Sequence, residues 1–271
     1  MLRTSIIFLL MLGTLAGCQR RDMNNLRIKL SELDNISSQK WDELNNKNIY
    51  FGHQSVGFNI LDGVKQVQAK FPDIHLKIIE TKDVSNLDSP YFAHSRVGKN
   101  LDPKAKCDDF KTVIESGIGD KVDIAFFKLC YIDILDKTDI NEVFNHYVRT
   151  IHYLENKYPQ VIFLHVTVPL TTPPGGMKTK LKRFIGYPLW TDADNIKRNL
   201  FNMMLVEKYG NRVFDLAEYE SLYSDGKQNR FNKEGHAYRE LILNYASDDG
   251  HLNDIGQWNI GVKLLKFLQS F

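Results

Sequence analysis

Cysteine is scarce in this chain. There are three in 271 residues, with no Cys-x-x-Cys pair and no Cys/His spacing of the kind that holds zinc, so neither a disulfide scaffold nor a structural metal site is expected. Charge of one sign is also missing. Thirty-five Lys and Arg stand against 33 Asp and Glu, for a formal net charge of +2, which gives no global field to draw the chain onto nucleic acid. Internal repeats and low-complexity tracts are absent. What remains, 43% hydrophobic and 25% charged residues, is ordinary for a globular protein with a real core and excludes wholesale disorder, a collagen-like chain and a multi-pass membrane protein.

The amino terminus reads as a targeting segment. Arg3 supplies a positive start, Ile6 to Leu12 form an apolar run, and small residues precede the cysteine in Leu15-Ala16-Gly17-Cys18. The run is too short to span a bilayer comfortably and ends in a small-residue cleavage pattern. Leu-Ala-Gly-Cys resembles a bacterial lipobox, which implies cleavage before Cys18 and lipidation of its thiol. The expected organisation is a signal peptide over residues 1–17, a polar tether over 18–29 and one domain over 30–271, held by lipid at the bacterial cell envelope, on the periplasmic side or the cell surface.

Along the rest of the chain, apolar β-rich runs alternate with helical patterns, the signature of βα units around a parallel sheet. The runs predict strands at Asn48–Gly52, His75–Glu80, Val122–Leu129, Val161–Val168 and Arg212–Leu216. The two central runs are apolar nearly throughout, as expected for strands covered on both faces. Helices are predicted near 57–70, 104–117, 139–157, 193–209 and 253–269. Two long connections follow the fourth and fifth strands. The first, 169–190, carries Lys178, Lys180, Lys182 and Arg183, and the second, 217–247, is rich in tyrosine. Loops of this length are either functional or solvated surface.

Two stretches carry chemistry. Asn48 to Gly57 is a strand running through Gly52-His53-Gln54-Ser55 into a helix, which exposes a side chain at the carboxyl end of the first strand, where open parallel sheets bind ligands. Ser55 there is either a helix cap or a nucleophile, the latter only if a base takes its proton. Near the carboxyl terminus, Asp248-Asp249-Gly250-His251 precedes the last helix. A carboxylate three residues before a histidine can hold the imidazole by Nδ1–H and leave Nε2 free as general base. Asp248, Asp249, His251 and His53 lack a recognised metal-ligand pattern, and no metal or cofactor is expected. His165, inside an apolar strand, reads as a hydrogen-bonded core histidine. Cys107 and Cys130 could pair after export, but sequence gives no distance.

Together these stretches resemble the SGNH/GDSL hydrolase superfamily. Its Gly-Asp-Ser-Leu turn corresponds to Gly52-His53-Gln54-Ser55, with the serine kept and its neighbours changed, and its Asp-x-x-His motif to Asp248-Asp249-Gly250-His251. The resemblance covers nearly the whole chain after the targeting segment. It implies a three-layer α/β/α sandwich of flavodoxin-like SGNH type with a central parallel sheet of about five strands. It also implies Ser55, Asp248 and His251 as a catalytic triad, with the N–H groups of Ser55 and Gly98 as oxyanion donors. The family's further donor, an asparagine after the third strand, is Ile132 here, in Cys130-Tyr131-Ile132-Asp133. One missing donor costs roughly 2.7–4 kcal/mol in barrier height. Asn100 and Lys128 are the candidates to replace it, and Asp133 is expected to tie the loop through backbone N–H groups.

The function these readings imply is a serine esterase acting on acyl esters of a small molecule or an envelope glycan, with no nucleic-acid partner expected. The alternatives are an O-acyltransferase with the same triad and a lipid-anchored glycan-binding module without catalysis.

Overall fold

The computed structural model describes residues 26–173, 175, 179 and 189–271. The targeting segment, Cys18 and the Lys178, Lys180, Lys182 and Arg183 cluster lie outside the described residues.

The first βα unit sets the frame. α1 (Ser38–Asn45) is capped by Ser37 and leads to β1 (Ile49–His53), which is buried along its whole length. α2 (Val56–Gln68) follows after two residues and buries Val56, Ile60, Leu61, Val64 and Val67, the one-sided spacing of a helix lying on a sheet. β2 (Ile78–Glu80), β3 (Phe92–Arg96), β4 (Ile124–Phe127), β5 (Ile162–Val166) and β6 (Val213–Phe214) complete a six-stranded sheet of order β2-β3-β1-β4-β5-β6. All its pairings are parallel. β3 is the strand that the sequence reading leaves out. Its short run Phe-Ala-His-Ser-Arg ends in three consecutive polar residues, and the burial that makes it a strand comes from its two neighbours, β2 and β1.

Strand alternation divides the core in two. Ile49 and Phe51 of β1, Phe126 of β4 and Leu164 of β5 face one cluster. That cluster is closed by α1, α2 and α7 (Asp254–Leu268). Tyr50, Ala125, Phe127 and Phe163 face the other, closed by α3 (Pro103–Val113), α4 (Ile140–Lys157) and α5 (Trp190–Tyr209). The architecture is therefore the expected three-layer α/β/α sandwich, with six strands in place of about five.

The second long connection is structured. α6 (Leu216–Glu220) opens it, and an antiparallel hairpin of β7 (Arg230–Lys233) and β8 (His236–Arg239) follows. The hairpin turns through Glu234 and Gly235, both at positive φ (51° and 81°), the backbone that matches strand twist in a two-residue turn.

At the amino end, Leu26 to Lys29, the last residues of the expected tether, lie on α7. Ile28 N–H donates to Asn259 Oδ1 at 2.8 Å, Trp258 Nε1–H to the Ile28 carbonyl at 2.8 Å, and Asn259 Nδ2 to the Leu26 carbonyl at 2.9 Å. Among the described residues, no helix is long and apolar enough to cross a membrane.

Candidate active site

The carboxyl edge of the sheet gathers the candidate residues. β1 delivers His53 and Gln54, and Ser55 occupies the cap position of α2. Its hydroxyl accepts no capping bond from the helix, so the capping role left open by the sequence is not the one it plays. Gln54 fixes the turn by donating from Nε2 to the carbonyls of Val97 (3.0 Å) and Gly98 (2.9 Å). A side chain at Gly57 would meet the ring of His53 at 2.2 Å. The second glycine of the turn thus admits that ring beneath the helix start.

His53 is a buried structural histidine. The Gln54 carbonyl at 3.1 Å can only accept, so His53 Nδ1 carries the proton and Nε2 accepts from His94 Nδ1–H at 3.0 Å. Burial, with Lys128 nearby, depresses its pKa to about 3, and burial likewise lowers that of His94. Burial thus favours the neutral form of both rings.

The other half of the site precedes α7. Asp248 Oδ2 accepts His251 Nδ1–H at 2.7 Å, while Oδ1 accepts the backbone N–H groups of Gly250 (2.8 Å) and His251 (2.7 Å). Partial burial works against the Asp248 carboxylate, but these N–H groups and the His251 ring outweigh it and hold its pKa below the usual range. The imidazole is thereby held at Nδ1, with Nε2 free of protein partners among the described residues, the tautomer a general base requires.

The two halves are joined through the helices. Leu252 N–H, next to His251, donates to Asn59 Oδ1, one turn into α2 from Ser55, at 3.2 Å. No hydrogen bond joins the Ser55 hydroxyl to His251 among the described residues; such bonds are often long without substrate.

Gly98 has a different occupation from an open oxyanion donor. Its N–H donates to Asp109 Oδ2 at 2.8 Å, and its φ of +57° suits glycine. A Cβ there would come within 2.5 Å of Lys106 Cα. Packing on α3 accounts for the glycine, and an oxyanion would have to compete with a carboxylate for this N–H. Of the two proposed replacements for the missing asparagine, Asn100 accepts from Lys106 Nζ at 3.0 Å. Lys128 is fully buried, with long contacts to the Leu129 carbonyl (3.4 Å) and Cys130 Sγ (3.6 Å). The Ser55 N–H makes no hydrogen bond among the described residues and stands at a helix N-terminus, where negative charge is favoured.

Asp133 ties its loop as expected. It accepts from Cys130 N–H (2.6 Å), Leu101 N–H (2.9 Å) and Lys106 Nζ (2.5 Å), the last a wholly buried ion pair. Cys130 and Cys107 are both free and buried. His165 is the core histidine foreseen, accepting or donating with Tyr147 OH at 2.8 Å and stacked on Tyr209.

Residues that sequence reasoning missed complete the site. Tyr131 stands edge-on to His251, with ring centroids 5.8 Å apart and planes at 82°. Arg198, nearly buried on α5, donates from Nε to the carbonyls of Tyr131 (2.8 Å) and Ile134 (3.1 Å), and from Nη1 to Thr171 Oγ1 and Asn195 Oδ1, both at 2.9 Å. Burial lowers its pKa to about 10, which leaves it charged at neutral pH. Thr172 N–H donates to the Asp249 carbonyl at 2.8 Å, so the loop after β5 also reaches the histidine turn. An arginine inside a helical pattern gives no sequence signal of such a role.

No protein-family model matches this chain, and no curated protein does. Solved structures similar to it include one described as a candidate platelet activating factor from Streptococcus pneumonia, 17% identical, covering 85% of this chain and 90% of that chain at a TM-score of 0.47. A second is described as a lipolytic protein of the G-D-S-L family from Desulfitobacterium hafniense DCB-2, at 9% identity, 82% and 99% coverage and a TM-score of 0.46. A third, the periplasmic domain of a lipopolysaccharide acetyltransferase from Salmonella ser. Paratyphi A, is 12% identical over 89% of each chain, with a TM-score of 0.44. In its parallel α/β/α sandwich, its serine turn after β1 and its Asp-x-x-His ahead of the last helix, the chain resembles the SGNH/GDSL hydrolase superfamily.

Proposed function

We propose that the protein is a serine esterase that cleaves acyl esters through an acyl-enzyme. The observation that carries this reading is the Asp248–His251 pair at 2.7 Å, its free Nε2 at the same end of the molecule as an uncapped Ser55 hydroxyl. In this mechanism His251 takes the Ser55 proton as the hydroxyl attacks the ester carbonyl, and Asp248 holds the ring and stabilises the imidazolium. The Ser55 N–H receives the oxyanion, helped by the positive end of α2. Water releases the acyl group; a sugar hydroxyl in its place would make the same site an acyltransferase, and product analysis with a sugar acceptor present separates the two.

Lipidation at Cys18 would hold this activity at the cell envelope, with acetylated glycans as the substrate class at hand. Mass spectrometry of the mature chain tests the anchor: an unmodified Cys18 or a retained Met1 removes it. For the chemistry, a fluorophosphonate probe is expected to label Ser55 in the wild type. Ser55→Ala should abolish both labelling and hydrolysis of 4-nitrophenyl acetate. Full activity in Ser55→Ala would end the proposal, and silence toward the probe with intact glycan affinity would favour a binding module.

A further inference from the structure

The turn that lacks the family's asparagine instead sends an aromatic ring against the proposed base. Tyr131 lies in a short helical turn, Tyr131–Asp133, that is held on both sides. Asp133 accepts the Cys130 N–H ahead of it, and Arg198 takes its carbonyl. The Arg198 guanidinium also lies over the ring, 5.8 Å from its centroid. A ring so restrained is a wall, and two residues of the histidine turn touch it. His251 meets it edge to face. Gly250 packs so closely that a Cβ would fall 2.6 Å from Tyr131 Cε1 and 2.7 Å from Cζ.

The restraint matters because the Asp248–His251 bond fixes only one end of the imidazole. A ring hydrogen-bonded at Nδ1 can still swing about that bond, and the side chains of His251 and Asp248 are 30% and 58% exposed. An aromatic edge contact opposes that swing. We infer that Tyr131 is a positioning residue for His251, with Arg198 as its anchor, and that the glycine of Asp-Asp-Gly-His is required here because the tyrosine ring fills the space of a side chain. The inference rests on His251 being the base of the proposed esterase and concerns the ring rather than the phenol.

Tyr131→Phe, Tyr131→Ala, Gly250→Ala and Tyr131→Ala/Gly250→Ala, each checked for an intact thermal transition, would be assayed on 4-nitrophenyl acetate. The downfield Nδ1–H proton of His251 would be followed by NMR in the same proteins. Tyr131→Phe is expected to keep kcat within about twofold, whereas Tyr131→Ala loses up to about 10²-fold in kcat with little change in KM, the scale of a misplaced catalytic group. Gly250→Ala should fall similarly alone and add little in the Tyr131→Ala background. The Nδ1–H signal should survive in Tyr131→Phe and broaden in Tyr131→Ala. Should Tyr131→Ala not fold, Tyr131→Leu takes its place with the same expectation. Equal losses in Tyr131→Phe and Tyr131→Ala, or an unchanged kcat in Tyr131→Ala, would overturn the inference. Full activity in Ser55→Ala would instead remove the esterase reading, and the NMR signal alone would then decide the positioning role, standing if it broadens in Tyr131→Ala and falling if it does not.

Discussion

Glu220 offers a direct test of how the polar layer under the site is built. The residue is fully buried on α6. One carboxyl oxygen accepts the Leu170 N–H, and the other has no partner among the described residues. Burial pushes its pKa from 4.5 up to about 8, against the opposing pull of the Leu170 N–H and the Lys128 ammonium. Because the folded value lies above the unfolded one, the folded protein keeps a proton that the unfolded chain has released throughout the interval between them. Its contribution is fully present below about pH 4, declines by about 1.36 kcal/mol per pH unit through the interval, and levels off above about pH 8. Between pH 5 and pH 8 the two values give a loss of about 3–4 kcal/mol. Glu220→Gln removes the titration while keeping an acceptor for Leu170, so the stability gap between wild type and variant should shift by that amount in favour of the variant as pH rises. Urea unfolding of both proteins at pH 5, 6, 7 and 8 measures it. His53 and His165, whose pKa values burial lowers to about 3, lose stability on the acid side instead, but they are common to both proteins and cancel in the difference. Parallel curves for the two proteins would refute the reasoning and show that Glu220 is ionised in the fold.

Three further perturbations read other parts of the structure. Asp248→Asn should leave the fold intact and lower kcat about 10⁴-fold, because an amide facing Nδ1 favours the wrong imidazole tautomer; kcat on 4-nitrophenyl acetate checks it. Asp133→Asn strands the Lys106 ammonium, which is wholly buried at 2.5 Å from it, and should cost about 3–5 kcal/mol in urea unfolding, part of it regained with Lys106→Met. Gly63→Ala would place a Cβ 1.9 Å from the Gln257 carbonyl oxygen, and thermal unfolding should report a loss of about 3 kcal/mol or more as α2 and α7 are pushed apart.

The sheet was legible where strands are covered on both faces, since VDIAFFKL and VIFLHVTV carry their burial in their own composition. β3 was not, because three of the five residues in Phe92–Arg96 are polar and consecutive, and its buried His94 and Ser95 are satisfied by partners far along the chain, His53 and Tyr50. The same contrast runs through the site. Asp248 and His251 are local, three residues apart, and their bond could be foreseen from spacing alone. Gly98 also had a visible turn, but what its N–H does depends on Asp109, a residue of α3 placed there only by the fold. Tyr131 and Arg198 depend on three loops converging and leave no trace in spacing.

The alignment of the helices that follow the two motifs, at opposite ends of the sequence, has a specific structural origin. α2 and α7 lie on the same face of the sheet and approach most closely at glycines, where a Cβ on Gly261 would stand 2.4 Å from the Gly63 carbonyl carbon. α2 begins at Val56 and α7 at Asp254. Each start therefore precedes its contact glycine by the same span, about 10.5 Å at 1.5 Å per residue. Helices that touch there and run in the same direction must begin level with one another, and the Asn59–Leu252 and Gln66–Gln257 hydrogen bonds hold that alignment. The serine immediately before one helix and the histidine just before the other are thus carried to about the same height, each near the positive end of a helix. Shifting either glycine by a turn would offset the two starts by about 5.4 Å, more than a hydrogen bond can bridge. The glycine pair is therefore as much a determinant of the proposed chemistry as the residues that would perform it.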